Sequence, residues 1–306
     1  MKKKIVITGI SGFLGAHIAI KFVSEGWEVV GLKRTNSDLW RCKTIIDKII
    51  WVDLDSKNWK EKVIELQPNI LVHSAWGGVA AGERLSYESQ IRNINLVHDI
   101  LEICKSSNAK FIGLGSQAEY GTFSGKIDEE YETTPNTAYG VVKLMSYNLV
   151  KGFCEENNLF WFWLRLFPLF GDMESENWLI PSVINKIIED NQIDLTPGEQ
   201  MYAYLYVKDF ANCVFEIGVN NTDINNSGVY NISGDKTITL RYLIEKIRDK
   251  VNPNAKLNFG ALQYRAYQSM HMHGDMTKFF TNIASVNFSN FDDALDQTID
   301  FYIKKK

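Results

Sequence analysis

The chain has 306 residues, 45% hydrophobic and 23% charged, with a formal net charge of −4 at neutral pH. This is a soluble globular composition with material for a large core in one large domain or two closely joined ones. The mild negative balance argues against nucleic acid or an anionic membrane as the main partner, and no stretch supplies the roughly 18 apolar residues that a membrane span needs.

Lys2, Lys3 and Lys4 precede an apolar run, as in a secretory leader. Glycines interrupt that run, no small-residue cleavage site follows, and strand and helix periodicity continues, so a cytoplasmic protein is expected. Cys42, Cys104, Cys154 and Cys213 form no Cys-x-x-Cys pair and read as reduced, mostly buried thiols; no metal is expected.

Residues 4–8, KIVIT, are short, apolar and β-branched, as a buried parallel strand should be. FLGAHIAIKFVSEG then carries apolar residues at helical spacing and stops at Gly26, and EVVGLKR reads as a second strand. Gly9, Gly12 and Gly15 thus fall at a strand-to-helix turn. A plain tight turn would use a glycine or two, but in this setting each has a task. Gly9 permits the turn, Gly12 lets backbone approach a pyrophosphate, and Gly15 lets helix and strand pack closely. The helix N-terminus offers its free N–H groups to the phosphates, so the motif predicts dinucleotide binding.

The spacing Gly-x-x-Gly-x-x-Gly in TGISGFLG resembles the fingerprint of the extended short-chain dehydrogenase/reductase family, which comprises sugar-nucleotide epimerases, dehydratases and reductases. By that resemblance Ser11, Phe13 and Leu14 line the cofactor with the glycines. An acid at the end of the second strand would hold the ribose hydroxyls of NAD. Lys33 and Arg34 stand there instead, with no acid before Asp38, so charge-assisted contact with a 2′-phosphate is expected and NADP(H) is preferred over NAD.

KIIWVDLDS, NILVHSAWGG and AKFIGLGSQAEYG read as further strands, alternating with helices such as QIRNINLVHDILEICKSS. The pattern predicts an α/β fold, a Rossmann-type doubly wound parallel sheet with a smaller C-terminal substrate lobe. The resemblance places Asp53 and Leu54 at the adenine and Ser74, Ala75 and Trp76 along the cofactor. In AYGVVK, Tyr139 and Lys143 stand at i and i+4, on one helix face. A phenol ionises near pH 10, too high for easy proton transfer at neutral pH, and a neighbouring cation lowers that value. With Ser116 upstream, the family's roles follow: Ser116 binds the substrate oxygen, Tyr139 moves the proton and Lys143 also holds the nicotinamide ribose.

Departures narrow the reaction. The family's dehydratases carry an Asp-Glu pair after the catalytic hydroxyl; here Gln117 and Ala118 stand there, and neither moves a proton, which argues against elimination. Residues 163–188 resemble the family's arginine–strand–YGP stretch and its nucleotide-clasping helix, and 196–217 resemble GxQxRDYIYVDD, with Tyr202 and Ala203 in place of Arg-Asp. The resemblance makes Ser116, Gln117, Asn177, Gln200, Tyr202 and Arg265 the candidate substrate residues. It also implies a dinucleotide-binding domain over 1–165 with a returning segment near 204–218, and a substrate lobe over 166–203 and 219–306. The helices over 86–107 and 139–155 correspond to the family's dimer-forming pair, so a homodimer is expected. His17, His73, His98, His271 and His273 have no partner pattern and read as structural. The expected activity is NADPH-dependent reduction of a CDP-, dTDP- or GDP-linked 4-keto-6-deoxyhexose. The alternatives are a 4-epimerase that retains NAD and a non-catalytic NADP sensor.

Overall fold

A computed structural model describes residues 2–80, 82–189, 192–220, 223–264 and 268–305. The chain runs β1 (Lys4–Thr8), α1 (Phe13–Ser24), β2 (Glu28–Lys33), β3 (Ile49–Asp53), α2 (Trp59–Glu65), β4 (Ile70–His73), α3 (Tyr87–Ile91), α4 (Asn93–Ser107), β5 (Lys110–Leu114), β6 (Ser124–Ile127), α5 (Ala138–Glu156) and β7 (Trp161–Leu166). It continues through β8 (Leu169–Phe170), α6 (Leu179–Glu189), β9 (Gln192–Leu195), β10 (Met201–Tyr202), β11 (Leu205–Tyr206), α7 (Val207–Asn220), β12 (Gly228–Ile232), β13 (Ile238–Thr239), α8 (Leu240–Val251), β14 (Lys256–Phe259), β15 (His271–Gly274), α9 (Thr277–Asn282) and α10 (Phe291–Lys305).

Seven parallel strands form the central sheet in the order β12-β7-β5-β4-β1-β2-β3. Side chains alternate across a strand. Ile5 and Ile7 therefore enter one core with residues of α1, α6, α7 and α8, while Val6 enters the other with residues of α2, α4 and α5. The same split divides Phe162 and Leu164 from Trp161 and Trp163. Burial on both faces is why these strands are continuous apolar runs. The sheet is the Rossmann-type one expected. It also takes in Gly228–Ile232, a stretch the sequence reading assigned to the lobe. β12 lacks the long apolar run of the inner strands because it lies at the sheet edge, paired on one side only.

The strand order reverses between β1 and β4, and the crevice at such a reversal is where ligands of doubly wound sheets bind. The loops after these strands touch there: a Cβ on Gly9 would lie 2.7 Å from Ala75 backbone. Outside the sheet, β13-β10-β15-β6 form a four-stranded sheet around a cluster containing Tyr120, Phe123, Phe167 and Tyr202. α6, α8 and α10 pack together beside it.

Two predictions follow from this packing. A Cβ on Gly15 would come 2.3 Å from the Gly9 carbonyl oxygen, backbone that has nowhere to go. Gly15→Ala should cost about 1–3 kcal/mol of stability, the usual range for overpacking, in chemical denaturation. His73, at the end of β4, is buried and bonded through Nδ1 to Thr8 Oγ1 at 3.0 Å. Burial, then the Lys143 charge, depresses its pKa to about 3. The unfolded chain takes up a proton below about pH 6.5 that the native state refuses, so stability is lost as pH falls from there toward 3. One such proton amounts to about 1.4 kcal/mol per pH unit. The stability gap between wild type and His73→Gln, measured by urea denaturation from pH 7 to pH 5, should narrow by about that slope below pH 6.

Candidate active site

The glycine turn is built as its sequence demands. Gly9 has φ +65°, the left-handed region that glycine tolerates, and its carbonyl accepts from Gly12 N at 2.9 Å. Gly12 caps α1 without a side-chain hydrogen bond, so the first-turn N–H groups keep no side-chain partner. Ser11, Phe13 and Leu14 are half-buried beside it. Arg41 braces the turn, donating from Nη1 to the Ser11 carbonyl at 3.3 Å and from Nε to the Met173 carbonyl at 2.7 Å.

At the end of β2, Lys33 and Arg34 differ. Lys33 Nζ lies 3.8 Å from Asp53 Oδ2. The Asp53 carboxylate also accepts from Asp55 N at 2.9 Å and from Thr35 Oγ1 at 2.7 Å, and these bonds, with Lys33, hold its pKa below the ordinary carboxylate value. Arg34 is exposed, with no side-chain ion pair to a described residue. The sequence reading treated the two cations as equals; the structure commits one of them to a carboxylate. Leu54, half-buried, donates its N–H to the Lys33 carbonyl at 2.8 Å.

After β4, Ser74, Ala75 and Trp76 are half-buried, and Ala75 N donates to Thr8 Oγ1 at 3.1 Å. The Trp76 indole donates to Gln90 Oε1 at 2.8 Å and stands edge-on to Tyr139 at 6.2 Å.

After β5, Ser116 caps the short turn Gln117–Glu119. Ser116 Oγ accepts from Ala118 N at 3.2 Å, and the Glu119 carboxylate reaches back to Ser116 N at 2.8 Å, a capping box. That carboxylate is fully buried and also accepts from Trp163 Nε1 at 3.0 Å and Arg165 Nε at 2.9 Å, both on β7. On the facing side, the Thr137 hydroxyl caps α5 by accepting from Gly140 N at 3.1 Å. Gly140 permits a close approach: a Cβ there would lie 2.3 Å from the Ala118 carbonyl oxygen. That approach sets the start of α5, with Tyr139, against the turn that carries Ser116. One turn on, Lys143 Nζ donates to the Leu114 carbonyl at 2.6 Å and lies 3.5 Å from the Trp76 ring centroid and 5.8 Å from that of Tyr139.

The electrostatics differ from the sequence expectation. Burial raises the Tyr139 pKa; Arg84 and Ser116 oppose it, and Glu119 adds to the rise. The cation beside the phenol was to be Lys143, but burial pulls Lys143 down, with Glu119 resisting and Arg84 pulling further. Desolvation penalises every charged form here. Among the described residues the guanidinium beside the phenol is that of Arg84, its carbon 4.1 Å from the Tyr139 ring centroid.

Toward the lobe, Gln117 is half-buried and Asn177 is exposed just before α6. Gln200 is buried with Oε1 unpartnered, as is the Tyr204 hydroxyl. Tyr202 is engaged inside the lobe, its hydroxyl donating to the Ser269 carbonyl at 2.8 Å and accepting from Gln268 Nε2. Arg265 lies outside the described residues. Burial raises the Glu174 carboxyl to about 8. His17 Nδ1 bonds the Phe13 carbonyl at 2.9 Å and its Nε2 lies 3.6 Å from Asp172 Oδ1, outside hydrogen-bond reach, while His73 Nε2 has no hydrogen-bond partner. All four cysteines are free and buried. Among the described residues no helix is long and apolar enough to cross a membrane.

The sequence reading missed Glu119, Arg84, Gln90 and Arg41. Glu119 was legible, since Ser-x-x-Glu from Ser116 is the capping-box pattern. The other three act on distant segments and leave no local signal.

Comparison with known proteins agrees with the fold. A CDP-abequose synthase of Salmonella muenchen is 27% identical over 94% of this chain and 94% of its own length. A dTDP-6-deoxy-L-talose 4-dehydrogenase (NAD(+)) of Aggregatibacter actinomycetemcomitans is 25% identical over 88% of this chain and 98% of its own. The structure of a UDP-N-acetylglucosamine 4-epimerase from Methanobrevibacter ruminantium superposes with a TM-score of 0.86 at 22% identity, covering all of both chains. The sequence profile of the NAD dependent epimerase/dehydratase family matches residues 5–233, and the chain belongs to that family.

Proposed function

We propose that the chain is a cytoplasmic, NADPH-dependent reductase of the 4-keto group of a nucleotide-linked 4-keto-6-deoxyhexose, serving deoxysugar supply for bacterial surface polysaccharide. The observation that carries the reading is the close approach of the start of α5, which holds Tyr139, to the turn that carries Ser116, with Lys143 one turn on and no acid at 117 or 118. The relatives' names, which concern CDP- and dTDP-linked sugars, support the substrate class.

The glycine turn fits a dinucleotide. Gly9 and Gly15 are positions where a Cβ would strike backbone, and the uncapped first turn of α1 presents N–H groups to a pyrophosphate. Arg34 is the residue proposed to meet a 2′-phosphate, Trp76 and Lys143 the nicotinamide end. When bound, the reduced cofactor supplies a hydride to the ketone carbon. Ser116 Oγ already accepts from Ala118 N, which leaves its proton to donate to the ketone oxygen. Tyr139 delivers the proton that completes the alcohol, with Lys143 one turn on beside it. Gln200, buried with an unpartnered oxygen, is proposed to accept from the substrate.

An NAD-retaining 4-epimerase is the second reading. It is favoured by the Lys33–Asp53 pair, which withdraws one cation from a 2′-phosphate. We also propose a homodimer through α3, α4 and α5, which pack on one another and expose Tyr87, Ile91 and Met145, with Leu85 just ahead of them.

Purified protein mixed with NADPH and a panel of 4-keto-6-deoxy nucleotide sugars should oxidise the cofactor in a single turnover. Tyr139→Phe should slow that step by about 10²–10⁴-fold, the usual worth of a general acid, while still binding NADPH; an unchanged rate refutes the assignment. A charge-assisted contact is worth about 1.5–3 kcal/mol. Arg34→Asp should therefore weaken NADPH binding by more than about tenfold and NADH much less. Equal loss for both cofactors would favour the NAD reading.

A further inference from the structure

We infer that Arg84 is the standing cation of the site, a positioning residue that stabilises the Tyr139 phenolate left when the proton departs. The inference rests on the reading of Tyr139 as the proton donor. Its ground is geometric. Arg84 lies on the segment between β4 and α3, and its guanidinium carbon sits 4.1 Å from the Tyr139 ring centroid, within the range of a cation–π contact.

That placement is held by other residues. The Gln90 amide, fully buried, donates to the carbonyls of Gly78 at 2.6 Å and Glu83 at 3.1 Å, and its oxygen accepts from the Trp76 indole. Asn93 clasps Gly77 from both sides, accepting from its N–H at 2.7 Å and donating to its carbonyl at 3.2 Å. Gly78 turns with φ +76°, and Arg84 N donates to the Ala80 carbonyl at 3.1 Å. The loop that delivers Arg84 is therefore fastened to the cofactor-lining residue Trp76 and to the helices behind it.

The groups that face Tyr139 are Arg84 from this loop, Ser116 and Glu119 from the turn after β5, and Lys143 and Trp76, with His73 behind Lys143. Glu119 opposes a phenolate and His73 is held neutral. Lys143 lies farther off, spends a donor on Leu114, and loses charge to burial. A guanidinium does not give up its proton in a protein. Arg84 is also the closer of the two cations to the phenol ring, at 4.1 Å from its centroid against 5.8 Å for the ammonium.

The test uses the full chain labelled with fluorotyrosine, whose phenols ionise at lower pH than those of tyrosine, titrated by fluorine NMR without substrate. Tyr139→Phe identifies the resonance. Arg84→Gln should raise the Tyr139 midpoint by about one pH unit, the lower end of what an adjacent opposite charge does, and Arg84→Lys should restore most of it. A resonance that in the variant alone fails to titrate before unfolding counts as the upward shift. An unmoved midpoint, or a wild-type resonance that never titrates in the folded protein, overturns the inference. With a turned-over keto sugar, the alkaline limb of kcat should move up by the same interval in Arg84→Gln while the plateau falls and KM holds. A raised KM with an unmoved limb makes Arg84 a substrate contact and overturns it. A wild type that turns over no sugar defeats the reductase reading alone, since the titration needs no substrate.

Discussion

The site depends on one buried carboxylate. Glu119 is fully inaccessible, yet it answers three donors: Ser116 N, Trp163 Nε1 and Arg165 Nε. These lie on the turn after β5 and on β7, so the carboxylate fixes the one against the other. Gly115 makes the room, because a Cβ there would lie 2.3 Å from Trp163 Nε1 and 2.6 Å from Glu119 Oε1. A buried ion pair is poor evidence of net stability, since its desolvation cost rivals its attraction. Here Arg165 Nη1 remains unpartnered, a further cost. What the pair does supply is position. The backbone of Ser116 is held by Glu119, and its Oγ cannot rotate away without giving up the bond from Ala118 N.

From that anchor the electrostatics of the crevice can be ordered. Burial acts first on each titratable group, raising Tyr139 and Glu174 and lowering Lys143 and His73. Specific partners then correct the result. Glu119 favours the charged form of Lys143 and disfavours that of Tyr139, while Arg84 does the reverse for both. The carboxylate and the guanidinium thus act as opposed fixed charges on a tyrosine–lysine pair set between them. An i, i+4 spacing alone specifies none of this, because the same two residues on an exposed helix face would keep their ordinary values.

Much of the frame was legible because it is local. KIVIT is a strand over the residues expected, and the helix after the glycines ends where Gly26, at φ +78°, stops it. Period-two alternation and apolar runs sort strand residues between the two cores without any long-range information. Illegible features share a different cause. β12 joins the sheet through pairing with β7, which no property of Gly228–Ile232 announces. Tyr202 replaces an expected arginine, and only the fold shows that its hydroxyl is taken by Ser269. The direction of the Tyr139 shift was misjudged from sequence because a neighbouring cation is visible in a motif and desolvation is not.

The glycine turn is also tied to the lobe that faces it. Arg41 joins the Ser11 carbonyl to that of Met173, and His17 Nε2 lies 3.6 Å from an Asp172 carboxylate oxygen. On the other side of this loop, the Tyr302 hydroxyl donates to the Glu174 carbonyl at 2.9 Å. The segment after β8 is therefore gripped from α1, from the loop after β2 and from α10. Each grip ends on a backbone carbonyl or on a short acid, so it fixes the path of the chain rather than the choice of side chain. The glycine turn and the mouth of the lobe consequently share one boundary. Through Arg41 the backbone at Met173 is linked to Ser11 and so to the start of α1, even though none of residues 172–174 belongs to the glycine motif.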